Sequence, residues 1–589
     1  MNKGGVLLLL FFSFLGLKAQ EKKKETAKDT VKTEVVNVIT TYNPKIADAN
    51  KIQRTPEIKL SEKSKKKQLK YTIFSIPVAS TFMPKTGVVK GIDVGVKERI
   101  YRNYIAGGFG NYSTPFIEAD LHYDTRFKNE MGIYTKYISS NEDIENTALT
   151  STFSNFKTSL FYKQQERYFD WKVSLNSAQN KYNWYGIPEN LKASPAIETI
   201  NSEQENNYFQ LIGALDFEKA IIENTKISIS SFSDAYQSKE LLMHLETTFN
   251  FSLDFISYDL NALSVDTKIE VLNGAFKNNS FDNSEINYAI ITSKIHPTYN
   301  FMLFDFSIKA GMKLFASVDT ENSATNILAY PDVQISKSIN KDALIFYTGV
   351  SGDLKTNTYQ DFSQENPYVS PTLFITQTSE KMNIFLGASG NINKFFSFNF
   401  KASYKEEEDS PFFIRNNSKS NGTNLIANNI PLENYDFGNS FSISYDDVTT
   451  TSFLGEFEYD VTNKIAAGGS IQYDDYQVKN LEEAWNLPAV QVAVFGKYKS
   501  EKWYATTNIF YVDERKTVTY TSPFPSSAIG TDRLGSFVDV NLNGGYHFND
   551  ALSVFLKLNN VLNTNYQRFS NFNVQGFQAL GGVTYKFDF

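Results

Sequence analysis

From about residue 103 to the C-terminus, apolar and polar side chains alternate in a two-residue rhythm, and this most constrains what the chain can fold into. Val538, Val540, Leu542, Gly544, Tyr546 and Phe548 alternate with Asp539, Asn541, Asn543, Gly545 and His547. After an Asn549-Asp550 turn, Leu552, Val554, Leu556 and Leu558 alternate with Ser553, Phe555, Lys557 and Asn559. Neighbouring residues of a strand point to opposite faces, so each segment reads as a half-buried strand. Upstream, Ile117, Ala119, Leu121 and Tyr123 oppose Glu118, Asp120, His122 and Asp124, and the pattern recurs around Met243–Asp254, Phe304–Phe315 and Val490–Tyr498. Alternation alone does not choose between a soluble sandwich with polar faces outside and a membrane barrel with polar faces around water.

Connection length does choose. Short turns are expected near 549, 500, 463, 394, 340, 299, 256, 221, 166 and 127. Between them fall longer connections near 562–573, 515–534, 478–488, 407–440, 354–380, 317–325, 272–284, 178–205 and 140–153. Such alternation belongs to a barrel with one short-turn rim and one long-loop rim, and a sandwich has no reason for it. Taking Phe441 to Tyr459 as one strand and Pro367 to Thr378 as loop, the count is about 22 strands, a size whose lumen is normally plugged. The fold expected is all-β, a transmembrane antiparallel barrel over residues 99–589. An even count returns both termini to the same, periplasmic, side. The negative mean hydropathy agrees, since half of each strand faces water.

The chain closes on Gly581-Gly582-Val583-Thr584-Tyr585-Lys586-Phe587-Asp588-Phe589, with Tyr585, Phe587 and Phe589 on one face. Aromatics at every second position suit a last strand that meets the lipid interface and serves barrel assembly. The span from 533 to 589 resembles the last three strands of TonB-dependent receptors, in which an Asn-Asn/Leu-Leu/Phe-Asn element precedes a Gly-Gly-x-x-Tyr-x-Phe-type strand. The resemblance is good over these residues and only general upstream. It implies a barrel of the same size, assembled by the barrel-assembly machinery into outer-membrane lipid.

The N-terminal part departs from that family. Residues 1–19 read as a secretory signal, with Lys3, an apolar run from Val6 to Leu17 too short to span a bilayer, and Lys18-Ala19 before Gln20. Residues 20–70 read as a flexible basic periplasmic tether, since 21–70 hold 14 Lys/Arg against 7 Asp/Glu whereas 71–589 hold 42 against 58. Residues 71–98 carry Phe74, Ile76, Val78, Phe82 and Val88, apolar enough to pack on the rim or in the lumen. Gln20 to about Glu98 is too short for the family's plug, and no Gly-rich plug signature appears. Glu34, Val35, Val36 and Val38, within Thr33–Thr40, resemble the box by which such receptors offer an extended strand to TonB. A Val/Ile patch in a tether, or a strand for another envelope protein, is the alternative. The Lys63–Lys67 cluster is a solvated or interfacial tether, or meets acidic periplasmic partners; no nucleic acid is expected there.

No chemistry stands out. No cysteine is present, which removes disulfides and thiolate metal sites. No nucleophile elbow, P-loop or metal-ligand spacing is found, so the chain is read as no enzyme, with no catalytic residues, cofactor or metal. His122, His244 and His547 fall on polar strand faces and His296 beside a turn, as ordinary lumen or rim residues. Glu406-Glu407-Glu408-Asp409 begins an expected external loop and reads as solvated acid; Asp446-Asp447 and Asp474-Asp475 read the same way. Trp184, Tyr185 and Trp485 lie in expected external loops beside Asn183 and Asn486. They suit contact with a sugar or protein partner, or equally packing at the rim or against a neighbouring loop.

Two roles follow. One is a plug-less, TonB-dependent-receptor-like barrel in transport across, or organisation of, the outer membrane. The other is a structural subunit of an outer-membrane assembly or secretion complex, its lumen closed by its N-terminus or a partner.

Overall fold

The computed structural model describes residues 101–589 apart from 126, 254–261, 281, 283, 340–342, 428 and 522–528. The signal, the tether, the 71–98 segment and the box residues Glu34, Val35, Val36 and Val38 lie outside the described residues.

Twenty-two strands form one closed antiparallel sheet. In chain order they are β1 (Asn103–Gly110), β2 (Thr114–Asp124), β3 (Asn129–Ser140), β4 (Phe153–Gln165), β5 (Phe169–Asn183), β6 (Glu203–Phe217), β7 (Ile222–Asp234), β8 (Lys239–Phe251), β9 (Leu263–Phe276), β10 (Ile286–Leu303), β11 (Phe306–Asp319), β12 (Ala324–Ile339), β13 (Leu344–Thr356), β14 (Gln377–Asn391), β15 (Phe396–Arg415), β16 (Phe441–Thr462), β17 (Ile465–Val478), β18 (Val490–Lys499), β19 (Trp503–Val512), β20 (Phe537–His547), β21 (Leu552–Asn559) and β22 (Gln578–Phe587). Each strand pairs with its chain neighbours, and β1 closes the ring on β22 with Ile105 opposite Tyr585 and Gly110 opposite Leu580. Closure leaves no sheet edge, which a spanning sheet cannot afford in hydrocarbon.

The faces are sorted as a membrane barrel requires. On β2 Ile117 is 55% exposed and Glu118 2%; on β9 Ile269 is 50% exposed and Glu270 6%. On β20 Leu542 points outward while Asp539 and Asn541 are buried within. An apolar surface outside and carboxylates inside is the reverse of a soluble fold. Exposed rings crowd the short-turn rim: Phe127, Tyr168, Phe304, Phe395, Trp503, Phe548 and Phe589. They form the aromatic girdle expected at a membrane interface.

Connection lengths follow the expected alternation with local differences. The turns at 166–168, 304–305, 463–464 and 500–502 are short, whereas 184–202, 357–376, 416–440, 513–536 and 560–577 are long. The turn expected near 299 lies at 304–305, because β10 runs through His296 and Pro297 to Leu303. The ladder to β11 has no pair at those two residues, as a proline without an N–H allows. His296 therefore lies within a strand, not beside a turn. The turn expected near 256 lies outside the described residues. Glu406–Asp409 does not begin a loop: it lies inside β15, which continues to Arg415, with Glu406 opposite Thr449 and Met382. The ladder to β16 bulges at Glu408 and Asp409, where Asp409 takes a positive φ of 52°, and resumes at Ser410 opposite Asp446.

Candidate functional site

The long-loop rim carries the site, and it is a cap. A cluster of buried side chains joins Phe232 of β7, Leu272 and Phe276 of β9, Tyr288 and Ile290 of β10, Phe413 of β15 and Phe441 of β16 to residues of the loops. The loop members are Tyr185, Tyr359, Phe362, Val369, Leu373, Ile375, Phe569 and Phe572. In a ring of 22 strands, β7–β10, β15–β16 and the β21–β22 connection stand roughly a third of the circumference apart. An apolar cluster that touches all three sectors must span the mouth.

The 357–376 connection is anchored at its start. It opens with α1 (Tyr359–Glu365), whose N-cap Thr358 accepts from Asp361 N through its hydroxyl. The Glu240 carboxylate of β8 accepts from Tyr359 N at 2.6 Å, Gln360 N at 3.1 Å and the Tyr288 hydroxyl at 2.8 Å. A carboxylate at a helix N-terminus satisfies orphan N–H groups and opposes the helix dipole. Tyr359 Oη in turn donates to Asp234 at 2.8 Å. A strand wall thus holds the helix that carries two of the cap's rings.

Trp184 and Tyr185 lie in this assembly and are buried. Trp184 donates from Nε1 to Pro367 O, stacks on Tyr236 at 5.6 Å and meets Tyr435 edge-on. Asn439 Nδ2 donates to Trp184 O. One tryptophan thereby ties together four connections. Tyr185 donates to Asn573 O at 2.7 Å and packs edge-on against Phe572. Gly186 follows because a Cβ there would collide with the Phe572 ring. Trp485 is also buried, and its neighbour Asn486 donates to Phe413 O at 2.6 Å. Tyr585, Phe587 and Phe589 stand at the opposite rim, with rings 5.8 and 5.4 Å apart along the strand.

Burial sets the electrostatics of the cap. Tyr185 and Tyr368 are pushed above the ordinary tyrosine range by loss of solvent, and Tyr236 is pushed up to about 12. Burial raises the Asp436 carboxyl against the opposing pull of Lys419, 2.8 Å away. Burial, together with nearby Arg568, brings the Arg515 guanidinium down to about 10. Among the long loops a crevice of about 140 Å³ is lined by Ala235, Tyr236, Gln237, Lys277, Asn278, Pro371, Glu433 and Tyr435. Aromatic rings beside amides and both charges can stack on and hydrogen-bond a polar ligand.

Two of the histidines are engaged in the wall. His122 meets Asp120 at 2.9 Å, and His296 lies between Asp332 at 2.8 Å and Asp266 at 3.4 Å. Among the described residues no group of three His, Cys, Asp or Glu is placed to hold a metal ion. The acidic pairs are structural in part: Asp446 accepts from Asn480 N, Asn480 Nδ2 and Leu481 N, tying β16 to the 479–489 connection.

No family model matches the sequence, and no curated protein matches it. Solved structures match the fold. The FrpB iron transporter from Neisseria meningitidis (F3-3 variant) has a TM-score of 0.61 at 10% identity, covering 83% of this chain and 82% of its own. The ferric-catecholate import receptor Fiu from Escherichia coli K12 has a TM-score of 0.59 at 10% identity, covering 83% and 82%. A point mutant of the ferric enterobactin receptor PfeA from Pseudomonas aeruginosa has a TM-score of 0.58 at 9% identity, covering 82% and 80%. This chain has the barrel fold of TonB-dependent siderophore receptors. The count of about 22 strands expected from the connection lengths, and the barrel size implied by the resemblance, agree with that barrel. Sequence reasoning missed the residues that build the cap, above all Glu240, Phe413, Phe441 and Phe572. Glu240 follows Lys239 at the polar start of β8, just before Leu241-Leu242-Met243, and nothing local announces its partner.

Proposed function

We propose that the protein is a TonB-dependent-receptor-like barrel of the outer membrane, acting in transport across that membrane, with both termini periplasmic and its mouth closed by its own loops. One observation carries the reading: the barrel matches those of import receptors over four-fifths of its length, with an apolar exterior and a polar interior. In this reading a ligand meets the crevice around Tyr236 and Tyr435, and release of the cap precedes passage. Glu34, Val35, Val36 and Val38 would offer the periplasmic strand to TonB, and residues 71–98 would pack at the rim or in the lumen. These neighbours are receptors and transporters, not enzymes.

Planar-bilayer conductance of the purified protein tests the closure. Low conductance that rises sharply when the cap is opened by Phe572→Ala supports the reading, and a large open channel in the wild type contradicts it. Site-specific crosslinking at Val36 in cells tests the TonB strand.

A second reading is favoured by the cap itself. An apolar layer across the mouth suits a barrel that is a closed structural subunit of an outer-membrane assembly or secretion complex. Purification in mild detergent separates the two: stable co-purifying envelope proteins support the subunit, and a lone protein with ligand-dependent uptake supports the transporter.

A further inference from the structure

We infer that Arg415 is the receptor for a small anion carrying a forked pair of oxygens, a carboxylate or a phosphate, at the inner edge of the cap.

The chain contains nine arginines among its 58 basic residues, so arginine is the exception here. Arg415 ends β15 on the face that carries Phe413, and it is 8% exposed. Among the described residues its guanidinium has no hydrogen-bond partner and no carboxylate within ion-pair reach, and its Nε is enclosed and unpaired. Its one contact of note is the Tyr520 ring, 5.9 Å from the guanidinium carbon. Tyr520 Oη donates to Arg415 O at 2.7 Å, which fixes the backbone beneath the charge. Asp532 acts on it only from beyond ion-pair distance.

Arg515 shows what a structural arginine looks like in the same region. It is 5% exposed and, although its Nε is unpaired too, it donates from both terminal nitrogens to the carbonyls of Gln567 and Arg568 in hairpin 567–573. Nothing plays that part for Arg415 among the described residues. A buried cation without a partner is strongly unfavourable, and arginine cannot relieve the cost by losing its proton as lysine can. The five fixed donors of a guanidinium match a carboxylate or phosphate edge, and a ring stacked on one side leaves that edge free. Its position inside the mouth favours a soluble anion over a lipid headgroup. The inference concerns binding alone and stands whether or not the anion is carried through the barrel.

The test is isothermal titration of the full-length protein, purified in neutral detergent and anion-poor buffer, with citrate and with inorganic pyrophosphate in separate arms. Wild type is expected to bind one of them saturably, the arm identifying carboxylate or phosphate, with a raised thermal midpoint. Arg415→Gln should weaken that binding at least tenfold, and Arg415→Lys should not restore it. Arg533→Gln, at an exposed arginine paired with Glu514, should bind as wild type does. Arg415→Gln should also be no less stable than wild type in the anion-poor buffer, since it removes an unpaired charge. Saturable binding of neither probe to folded wild type, undiminished binding by Arg415→Gln, or a less stable Arg415→Gln in anion-poor buffer would overturn the inference.

Discussion

Tyr368 lies flat on Phe572, ring centroids 3.4 Å apart and planes 16° from parallel. The two belong to different connections, 357–376 and 560–577, and Tyr185 of a third packs edge-on against both rings. Three loops that approach from different sectors of the barrel thus share one stack.

Removing that stack should open the mouth without unmaking the barrel. Phe572 is 1% exposed, and truncating a buried phenylalanine costs about 3–5 kcal/mol. Phe572→Ala or Tyr368→Ala is expected to expose residues 184–202 and 416–440 to protease while the barrel keeps its heat-modifiable migration on gels. Simultaneous loss of both properties would mean that cap and wall fold as one unit.

Charges placed on the two faces of adjacent strands should behave oppositely. Leu542→Arg or Leu556→Arg puts a cation in lipid, at a cost of roughly 2–4 kcal/mol near the midplane. Thr506→Lys, on the lumen face of the neighbouring strand, should be tolerated. The yield of folded, membrane-inserted protein measures the difference, and equal yields would contradict the orientation of the faces.

Alkaline pH should release the cap. Tyr185 and Tyr368 hold their protons more tightly folded than the ordinary value of 10, and Tyr236 is held up to about 12. For such groups the stability contribution is complete below the unfolded value and is lost as pH rises through the folded one. Phenolate absorbance should therefore lag that of exposed tyrosines above pH ~10, with loop proteolysis beginning as the lag closes.

The C-terminal rings are expected to act in assembly more than in the finished fold. Phe589 is 79% exposed and lies beyond the last paired residue of β22. Phe589→Ser should slow insertion in a reconstituted assembly assay and leave the thermal midpoint of folded protein nearly unchanged. A lowered midpoint with normal insertion would assign the ring a packing role instead.

The alternation around Leu542 and Ile117 determined, without any coordinates, which residues face lipid and which face the lumen, because a strand's period is two and each segment is long enough to show it. The alternation of short and long connections determined the closed topology and its parity for a similar reason: each reports locally on which rim it lies. Tertiary structure alone decided what fills the mouth. That Glu240 meets α1, that Trp184 is a hub and that Arg415 is left without a carboxylate depend on loops converging from distant strands, and no local period records such encounters. The acidic run at Glu406–Asp409 makes the same point in reverse: its composition reads as loop, but Glu406 and Glu407 pair on both sides, and the strand passes through a bulge at Glu408 and Asp409 and continues, so the ladder prevails over side-chain preference.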